Sequence, residues 1–282
     1  MKVGFAPMAL AALCCFLSGC ANQGGAAASA QANSTAIALD RILASPLRTA
    51  ETRTRDSSLH PKQTLLFFGI RPQMSVVEVW PAGGWYTEIL APLLHDQGEL
   101  RVALMDPAAG DYARRVTDNF RNKLTAKPDV FGNVQLTTLA APPAKSTIAP
   151  ANSVDMVLTF FNLHTWMMFG WQKDAIAAMY AALKPGGVLG IVEHRGNPKI
   201  PQDLKAASGY VNERYAIELI RSVGFELVAQ SEVNANLRDT KDYAKGVWTL
   251  PPDFAEGAEA RSRYTAIGES DRFTLKFRKP QP

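Results

Sequence analysis

Short apolar segments alternate with segments of helical periodicity from about residue 36 to the end of the chain. The apolar segments predict seven strands, at residues 75–80, 99–105, 134–139, 154–160, 188–192, 225–229 and 273–277. Helical spacing predicts helices near residues 37–42, at 61–68 and 83–94, within 111–124, and at 171–183 and 211–223. Strands that alternate with helices form βαβ units. The chain is therefore predicted to adopt a doubly wound α/β fold around a mainly parallel seven-stranded sheet.

The first 35 residues follow a different pattern. Lys2 precedes an apolar run at residues 3–16, whose length suits a secretory signal and falls short of a membrane-spanning helix. Residues 21–35 are small or polar, which predicts a flexible tether because such a segment buries too little surface to offset its ordering entropy. The folded unit is predicted to begin near Ala36.

Composition narrows the classes of function. Cys14, Cys15 and Cys20 are the only three cysteines, which excludes a disulfide scaffold, a cysteine-ligated metal site and a cysteine nucleophile from the body of the chain. The formal net charge is +4, without long basic runs. Nucleic-acid binding needs Lys and Arg gathered on one face, so no nucleic-acid partner is predicted.

The segment Leu17-Ser-Gly-Cys20 resembles the cleavage site of bacterial lipoproteins, in which the peptidase cuts before a cysteine that then carries the lipid. This resemblance implies a signal peptide over residues 1–19, a lipidated Cys20 and tether over 20–35, and one folded domain over 36–282. Ala21 follows where an Asp would, in the enterobacterial pattern, imply retention in the inner membrane. The implied location is the outer membrane, facing the periplasm. The alternatives are an ordinary signal peptide or an uncleaved anchor.

Five segments, in the right order and spacing, resemble class I S-adenosylmethionine-dependent methyltransferases. They are residues 78–84 after the first strand, Asp106 at the end of the second, 153–158 at the fourth, 182–188 before the fifth and 222–227 before the sixth. Residues 80–88 further resemble a subgroup of predicted methyltransferases that carry export signals. The resemblance covers residues 61–277. It implies a Rossmann-like methyltransferase fold, S-adenosylmethionine as the cofactor and a small-molecule substrate.

The first of these segments implies a cofactor-binding loop that contains Glu78, Ala82, Gly83 and Gly84. A ligand across the ends of parallel strands needs a turn with little side-chain bulk, so that backbone N–H groups can approach it. The family pattern is an acidic residue followed by Gly-x-Gly-x-Gly, and Trp80 and Ala82 replace its first two glycines. The alternative is a structural strand-to-helix turn that kept its shape and lost its ligand.

Asp106 falls 22 residues after Gly84, where the family places an acid on the ribose hydroxyls of the cofactor. A carboxylate can accept hydrogen bonds from both hydroxyls of a diol. Its alternative role is local turn chemistry, because an Asp-Pro pair starts turns in many proteins and Pro107 follows.

Polar and aromatic residues follow the fourth and fifth strands. Asn162, His164 and Trp166 follow the fourth strand, and Glu193 and His194 follow the fifth. Ligands collect at this edge of an open α/β sheet, so we predict that His164 and His194 are catalytic, with a histidine as proton acceptor. Asn162, Trp166 and Glu193 are predicted to bind substrate. The alternatives are histidines that bond the backbone and an aromatic ring that packs in the core.

The histidine spacing does not favour a metal site. The chain has four histidines, His60, His95, His164 and His194, and none are spaced as a helical pair. A site assembled from His164, His194 and Glu193 is possible in space but has no support in the spacing. No metal is therefore predicted.

Two classes of function remain open. The first is an enzyme that moves a methyl group from S-adenosylmethionine to a small-molecule nucleophile. The second is a non-catalytic lipoprotein of the cell envelope that keeps the methyltransferase fold and binds another small molecule or a protein partner. The extent of the resemblance favours the enzyme. The compartment favours the second class, because the cofactor is made in the cytoplasm.

Overall fold

In the computed structural model, which describes residues 1, 4, 20–144 and 146–281, seven strands form one mainly parallel sheet. The strands are β1 (Ser75–Val79), β2 (Glu99–Met105), β3 (Gln135–Leu139), β4 (Val154–Phe160), β5 (Leu183–His194), β6 (Glu226–Ser231) and β7 (Arg272–Arg278). Their spatial order is β3-β2-β1-β4-β5-β7-β6. Strands β1 to β5 pair in parallel, and β7 is antiparallel to both of its neighbours. The predicted doubly wound α/β fold is confirmed.

Helices cover both faces of this sheet. They are α1 (Cys20–Ala44), α2 (Ala50–Thr54), α3 (Asp56–Leu59), α4 (Pro61–Phe68), α5 (Thr87–Leu94), α6 (Asp111–Thr125), α7 (Pro128–Phe131), α8 (Leu163–Phe169), α9 (Gln172–Ala182), α10 (Glu213–Ser222) and α11 (Arg261–Ile267). Two short 3₁₀ turns lie at Pro107–Ala109 and Gly246–Thr249.

The sheet buries one apolar cluster on each face. Successive side chains of a strand point to opposite faces, so Val76 packs into the cluster shared with α4, α5 and α6, whereas Val77 packs into the cluster shared with α8, α9 and α10. Both valines are fully buried. The two-sided core explains why β1 and β4 are apolar over most of their length.

The N-terminal part of the body differs from the sequence prediction. Helix α1 begins at Cys20, where the sequence predicts a flexible tether over 20–35. Thr35 and Leu39 are fully buried, and Gln31 Nε2 donates to Gln73 Oε1 at 3.3 Å. The segment is rich in alanine, the residue with the highest helix propensity, which accounts for a helix in place of the tether.

The predicted signal segment, residues 1–19, lies outside the described residues apart from Met1 and Gly4. Among the helices that the structure does describe, none combines the length and the apolar character needed to cross a membrane. The boundaries of the signal and of the single domain stay predictions.

Two smaller differences concern element ends. The sequence predicts a helix from residue 83, but α5 begins at Thr87 because residues 81–84 form a tight turn closed by a Gly84 N–H to Pro81 O bond of 2.8 Å. Pro92 lies inside α5, which ends only at Leu94. Strand β5 begins at Leu183, five residues before the predicted start at residue 188.

Gly190 gives a test of the packing around β5. A Cβ at this position would lie 2.7 Å from Leu158 Cδ2 and 2.8 Å from the Phe68 ring. Gly190→Ala is therefore expected to lower the free energy of unfolding by about 1–3 kcal/mol in urea titrations, because the core becomes overpacked. Gly83→Ala is the matched control, since a Cβ there meets no atom within 4 Å. Equal stability of both variants would contradict the packing described.

Candidate functional site

A cleft opens at the carboxyl edge of the sheet. It consists of two adjoining cavities of about 440 and 390 Å³. The strand order reverses between β1 and β4, and such a reversal is where open α/β sheets bind ligands. The two cavities share a wall formed by Arg55, Trp80, Pro81, Ala82, Phe161 and Asn162.

The two cavities are distinguished by their titratable residues. His164 and His194 line the larger one, which we call the histidine cavity. Glu78 and Lys123 line the smaller one, which we call the glutamate cavity.

The loop between β1 and α5 has a backbone that glycine would adopt easily. Its φ angles are +47° at Trp80, +49° at Ala82 and +77° at Gly84. These are the three positions at which the family pattern has glycine. A left-handed conformation costs a non-glycine residue about 1–2 kcal/mol. The loop therefore keeps the conformation of a glycine-rich turn although two of the three glycines are absent.

The same loop presents backbone donors to the cleft. In the described part of the chain, the N–H groups of Ala82 and Gly83 donate to no protein acceptor. Both residues are exposed, Ala82 lines both cavities, and Gly83 lines the glutamate cavity. These N–H groups are available to a ligand.

Gly84, which the sequence assigns to the cofactor, lines neither cavity. It is buried, and a Cβ at this position would lie 2.9 Å from Phe120 Cε2. The glycine therefore permits the close approach of α6 to the loop. Of the predicted loop residues, Glu78, Ala82 and Gly83 are the ones that reach the cleft.

Glu78 is a buried carboxyl near the end of β1. Its Oε2 accepts a hydrogen bond from Thr87 Oγ1 at 2.6 Å. Burial raises the pKa of Glu78 to about 7, although the Thr87 hydrogen bond and the charge of Lys123 both act to lower it. Lys123 itself pairs with Glu88 at 2.7 Å and donates to Gly83 O at 2.7 Å, so it holds the loop to α6.

Asp106 has the geometry of a turn cap. Its Oδ1 accepts the Ala108 N–H at 2.9 Å and starts the 3₁₀ turn at Pro107–Ala109. Asp106 lines neither cavity, whereas Leu104 and Met105 directly before it line the histidine cavity. Asp106 therefore caps the local turn, and its binding to the ribose of the cofactor stays a prediction.

Trp166 requires a correction. The sequence predicts that it binds substrate, but it is 0% exposed, belongs to the core and lines neither cavity. Trp166 lies on the side of α8 that packs on the sheet. It packs edge-on against Trp80, with ring centroids 5.8 Å apart, and against Trp171 at 6.1 Å. Trp80 also donates from Nε1 to Leu139 O at 3.1 Å.

Asn162 ties β4 to β1 at the edge of the sheet. Its Nδ2 donates to Val79 O at 3.0 Å, to Trp80 O at 3.3 Å and to Thr159 Oγ1 at 3.1 Å. The side chain also lines both cavities. Asn162 therefore positions the loop after β1. Its role beside the substrate stays a prediction.

Glu193, His164 and His194 form one compact group. Glu193 is fully buried and lines neither cavity, so the prediction that it binds substrate is corrected as well. Its Oε1 accepts from His164 Nδ1 at 3.0 Å and from the His194 N–H at 2.8 Å. Its Oε2 accepts the His164 N–H at 3.2 Å. His194 Nδ1 lies 2.6 Å from Ser270 Oγ, and its ring stacks on Phe161. The structure thus brings the two histidines predicted as catalytic to one wall of the histidine cavity.

The two histidines have opposite pKa shifts. Burial acts to lower the pKa of His164, but the charge of Glu193 and its hydrogen bond outweigh this effect, and the pKa is raised. Burial, followed by the positive charges of His164, Arg272 and Arg55, holds the pKa of His194 well below its usual range. At neutral pH, His194 is the neutral imidazole of the pair.

An arginine pair at the cleft has no signal in the sequence. Arg55 donates to both oxygens of Glu269, each at 2.7 Å, and Arg272 bonds the same carboxylate. Arg55 and Glu269 are separated by 214 positions along the chain, so no local spacing predicts their contact. Trp248, on another distant segment, meets His164 edge-on with centroids 6.1 Å apart. The histidine cavity is lined in part by Arg55, Arg272, Glu269 and Trp248.

Comparison with known proteins supports the fold. No protein-family model matches the chain, and no curated protein matches it significantly. Solved structures do match the chain in fold. One is an S-adenosylmethionine-dependent methyltransferase from Aquifex aeolicus, which is 15% identical with a TM-score of 0.53, over 80% of this chain and 93% of that one. The [4+2]-cyclase SpnF is 16% identical with a TM-score of 0.55, over 79% of this chain and 80% of its own. The chain thus has the Rossmann-like fold of class I methyltransferases.

The raised pKa of Glu78 predicts a pH dependence of stability. The unfolded carboxyl titrates near 4.5 and the folded one near 7. Its favourable contribution is complete below pH 4.5, and it is lost as the pH rises through 7, because the folded state must then bury a charge. We expect the free energy of unfolding to fall with pH over this interval by about 3 kcal/mol more in the wild type than in Glu78→Gln.

Urea titrations at a series of pH values measure this difference. Glu51→Gln, which changes an exposed carboxyl at the rim of the same cavity, should keep the wild-type profile. Parallel profiles for the wild type and Glu78→Gln would show that Glu78 titrates normally in the folded protein.

Proposed function

We propose that the protein is an S-adenosylmethionine-dependent methyltransferase that acts on a small molecule. The backbone of the loop after β1 carries this proposal, because Trp80 and Ala82 hold left-handed conformations at positions where the family pattern has glycine. Backbone strain of this kind persists where the surrounding structure fixes it, and it is concentrated at ligand sites. The fold is that of a structure described as an S-adenosylmethionine-dependent methyltransferase, and the cleft lies where open α/β sheets bind ligands.

The residues at the glutamate cavity fit the cofactor. The N–H groups of Ala82 and Gly83 are free of protein partners and would hold it, together with the carboxyl of Glu78 at the cavity wall. Asp106 is proposed for the ribose, on the family resemblance. When bound, the cofactor supplies an electrophilic methyl group. The protein contributes mainly by aligning donor and acceptor.

The acceptor is proposed to occupy the histidine cavity. Its volume of about 440 Å³ suits a small molecule. His164 and His194 would touch the acceptor, and Asn162 and Glu193 would hold its surroundings in place. The shared wall at Ala82 and Asn162 brings donor and acceptor sites next to one another.

A second candidate is a non-catalytic protein that keeps this fold and binds another molecule. It is favoured by Trp80, which lines both cavities at a position where the family pattern has glycine and whose indole is fixed to Leu139 O. The same fold also serves in a [4+2]-cyclase, so the architecture alone does not select methyl transfer.

Calorimetric titration of S-adenosylmethionine into the full-length protein separates the two candidates. We expect one binding site per chain and at least tenfold weaker binding in Gly83→Val. A side chain at Gly83 meets no protein atom within 4 Å, so Gly83→Val should fold normally while it obstructs the glutamate cavity. Ala109→Val, on an exposed turn outside both cavities, is the control. A wild type that fails to bind millimolar cofactor would overturn the proposal and favour the second candidate.

We further propose, from the sequence, that Cys20 is lipidated and anchors the protein in the outer membrane, facing the periplasm. Cells supplied with a fatty-acid analogue should label the wild-type protein, and Cys20→Ser should abolish the label. Cys15→Ser is the matched control, because Cys15 lies within the predicted signal peptide and should leave labelling intact. A labelled Cys20→Ser protein would contradict the anchor.

A further inference from the structure

The cluster at the wall of the histidine cavity has the composition of a metal site. One ligand atom from each of His164, Glu193 and His194 lies within 4.8 Å of the others. The His164 Nδ1 to Glu193 Oε1 contact of 3.0 Å is a hydrogen bond in this structure. Two ligands held about 2.1 Å from one ion are themselves about 3.0–3.4 Å apart, so an ion would replace the proton of this bond and draw the more distant ligand atoms inward. We propose that His164, Glu193 and His194 bind a divalent transition-metal ion.

The buried carboxylate of Glu193 supports this proposal. Glu193 is 0% exposed, and in the described part of the chain its only ion-pair partner is His164. Its remaining bonds come from two backbone N–H groups. Carboxylates this deeply buried are normally paired or coordinate a metal. His164 provides the pairing in this structure, and a metal ion held by the same carboxylate and the two imidazoles would take its place.

The contacts around the cluster favour coordination. Ser270 Oγ bonds His194 Nδ1 at 2.6 Å, which fixes the ring and leaves Nε2 for a ligand. Metal-binding histidines are commonly held in this way through the second ring nitrogen. The neighbouring positive charges, Arg55 and Arg272, are both bonded to Glu269 and so are partly neutralised.

The donor set indicates the class of ion. Two imidazoles and one carboxylate suit Zn²⁺, Fe²⁺ or Co²⁺ better than Mg²⁺ or Ca²⁺, which prefer oxygen ligands. Three protein ligands leave coordination positions open. His164 and His194 line the histidine cavity, so a molecule in that cavity reaches the ion. If the proposed methyl transfer holds, the acceptor would bind the ion through a hydroxyl, thiol or amine. Metal binding itself does not rest on that function.

Zn²⁺ titration into metal-free full-length protein tests the proposal. The protein carries Cys14→Ser, Cys15→Ser and Cys20→Ser, so that no thiol contributes to binding. We expect one Zn²⁺ per chain by calorimetry, and at least a hundredfold weaker binding in both Glu193→Gln and His194→Ala. His95→Ala is the matched control, because His95 is a surface histidine beside Asp96, away from the cluster, and should bind Zn²⁺ as the parent does.

Ser270→Ala adds a variant that keeps all three ligands. It should weaken Zn²⁺ binding about tenfold, because it frees the His194 ring, and circular dichroism should show the parental fold. Absence of stoichiometric binding in the parent protein would overturn the proposal, as would binding that Glu193→Gln and His194→Ala both retain. No S-adenosylmethionine is present in this titration, so its failure is separate from failure of the cofactor titration.

Discussion

Parallel pairing of β1, β4 and β5 is the constraint on which the site depends. Val79 pairs with Thr159, and Phe160 pairs with Val192, so the three strands reach the same edge of the sheet in register. The backbone turns away from the ladder at that edge and leaves groups without strand partners. Asn162 binds two of them, the carbonyls of Val79 and Trp80. The cleft is therefore built from the polar groups that the end of a parallel sheet leaves unpaired.

Glu193 performs the corresponding task between β4 and β5. Its carboxylate takes the backbone N–H that begins α8 at His164 and the N–H of His194 at the end of β5. One buried side chain thus satisfies two backbone donors and orients one imidazole. Because a buried charge is expensive without partners, any change that removes His164 affects the local fold as well as the chemistry of the cavity.

The sequence predicts where helices and strands begin and end better than it predicts which distant residues meet in the folded structure. Strands β2 and β4 and helix α4 have the predicted bounds, because mainly apolar short runs and a proline at the first helical turn are strong local signals. Arg55 and Glu269 meet only because β7 enters the sheet beside β5, and periodicity contains no information on that order. The direction of Trp166 depends on the angle at which α8 leaves β4, which is likewise set by tertiary packing.

The loop after β1 has the backbone of a glycine-rich turn although only one of its three left-handed positions is a glycine. Trp80 has a source of compensation for its left-handed backbone, since its indole bonds Leu139 O and packs between Trp166 and Trp171. Ala82 has none, because its side chain is a single exposed methyl group. Packing therefore explains the strain at Trp80 and leaves the strain at Ala82 without a structural benefit. Ala82 lines both cavities, and its N–H donates to no acceptor in the described part of the chain. A ligand bound at this N–H would supply the compensation that packing does not.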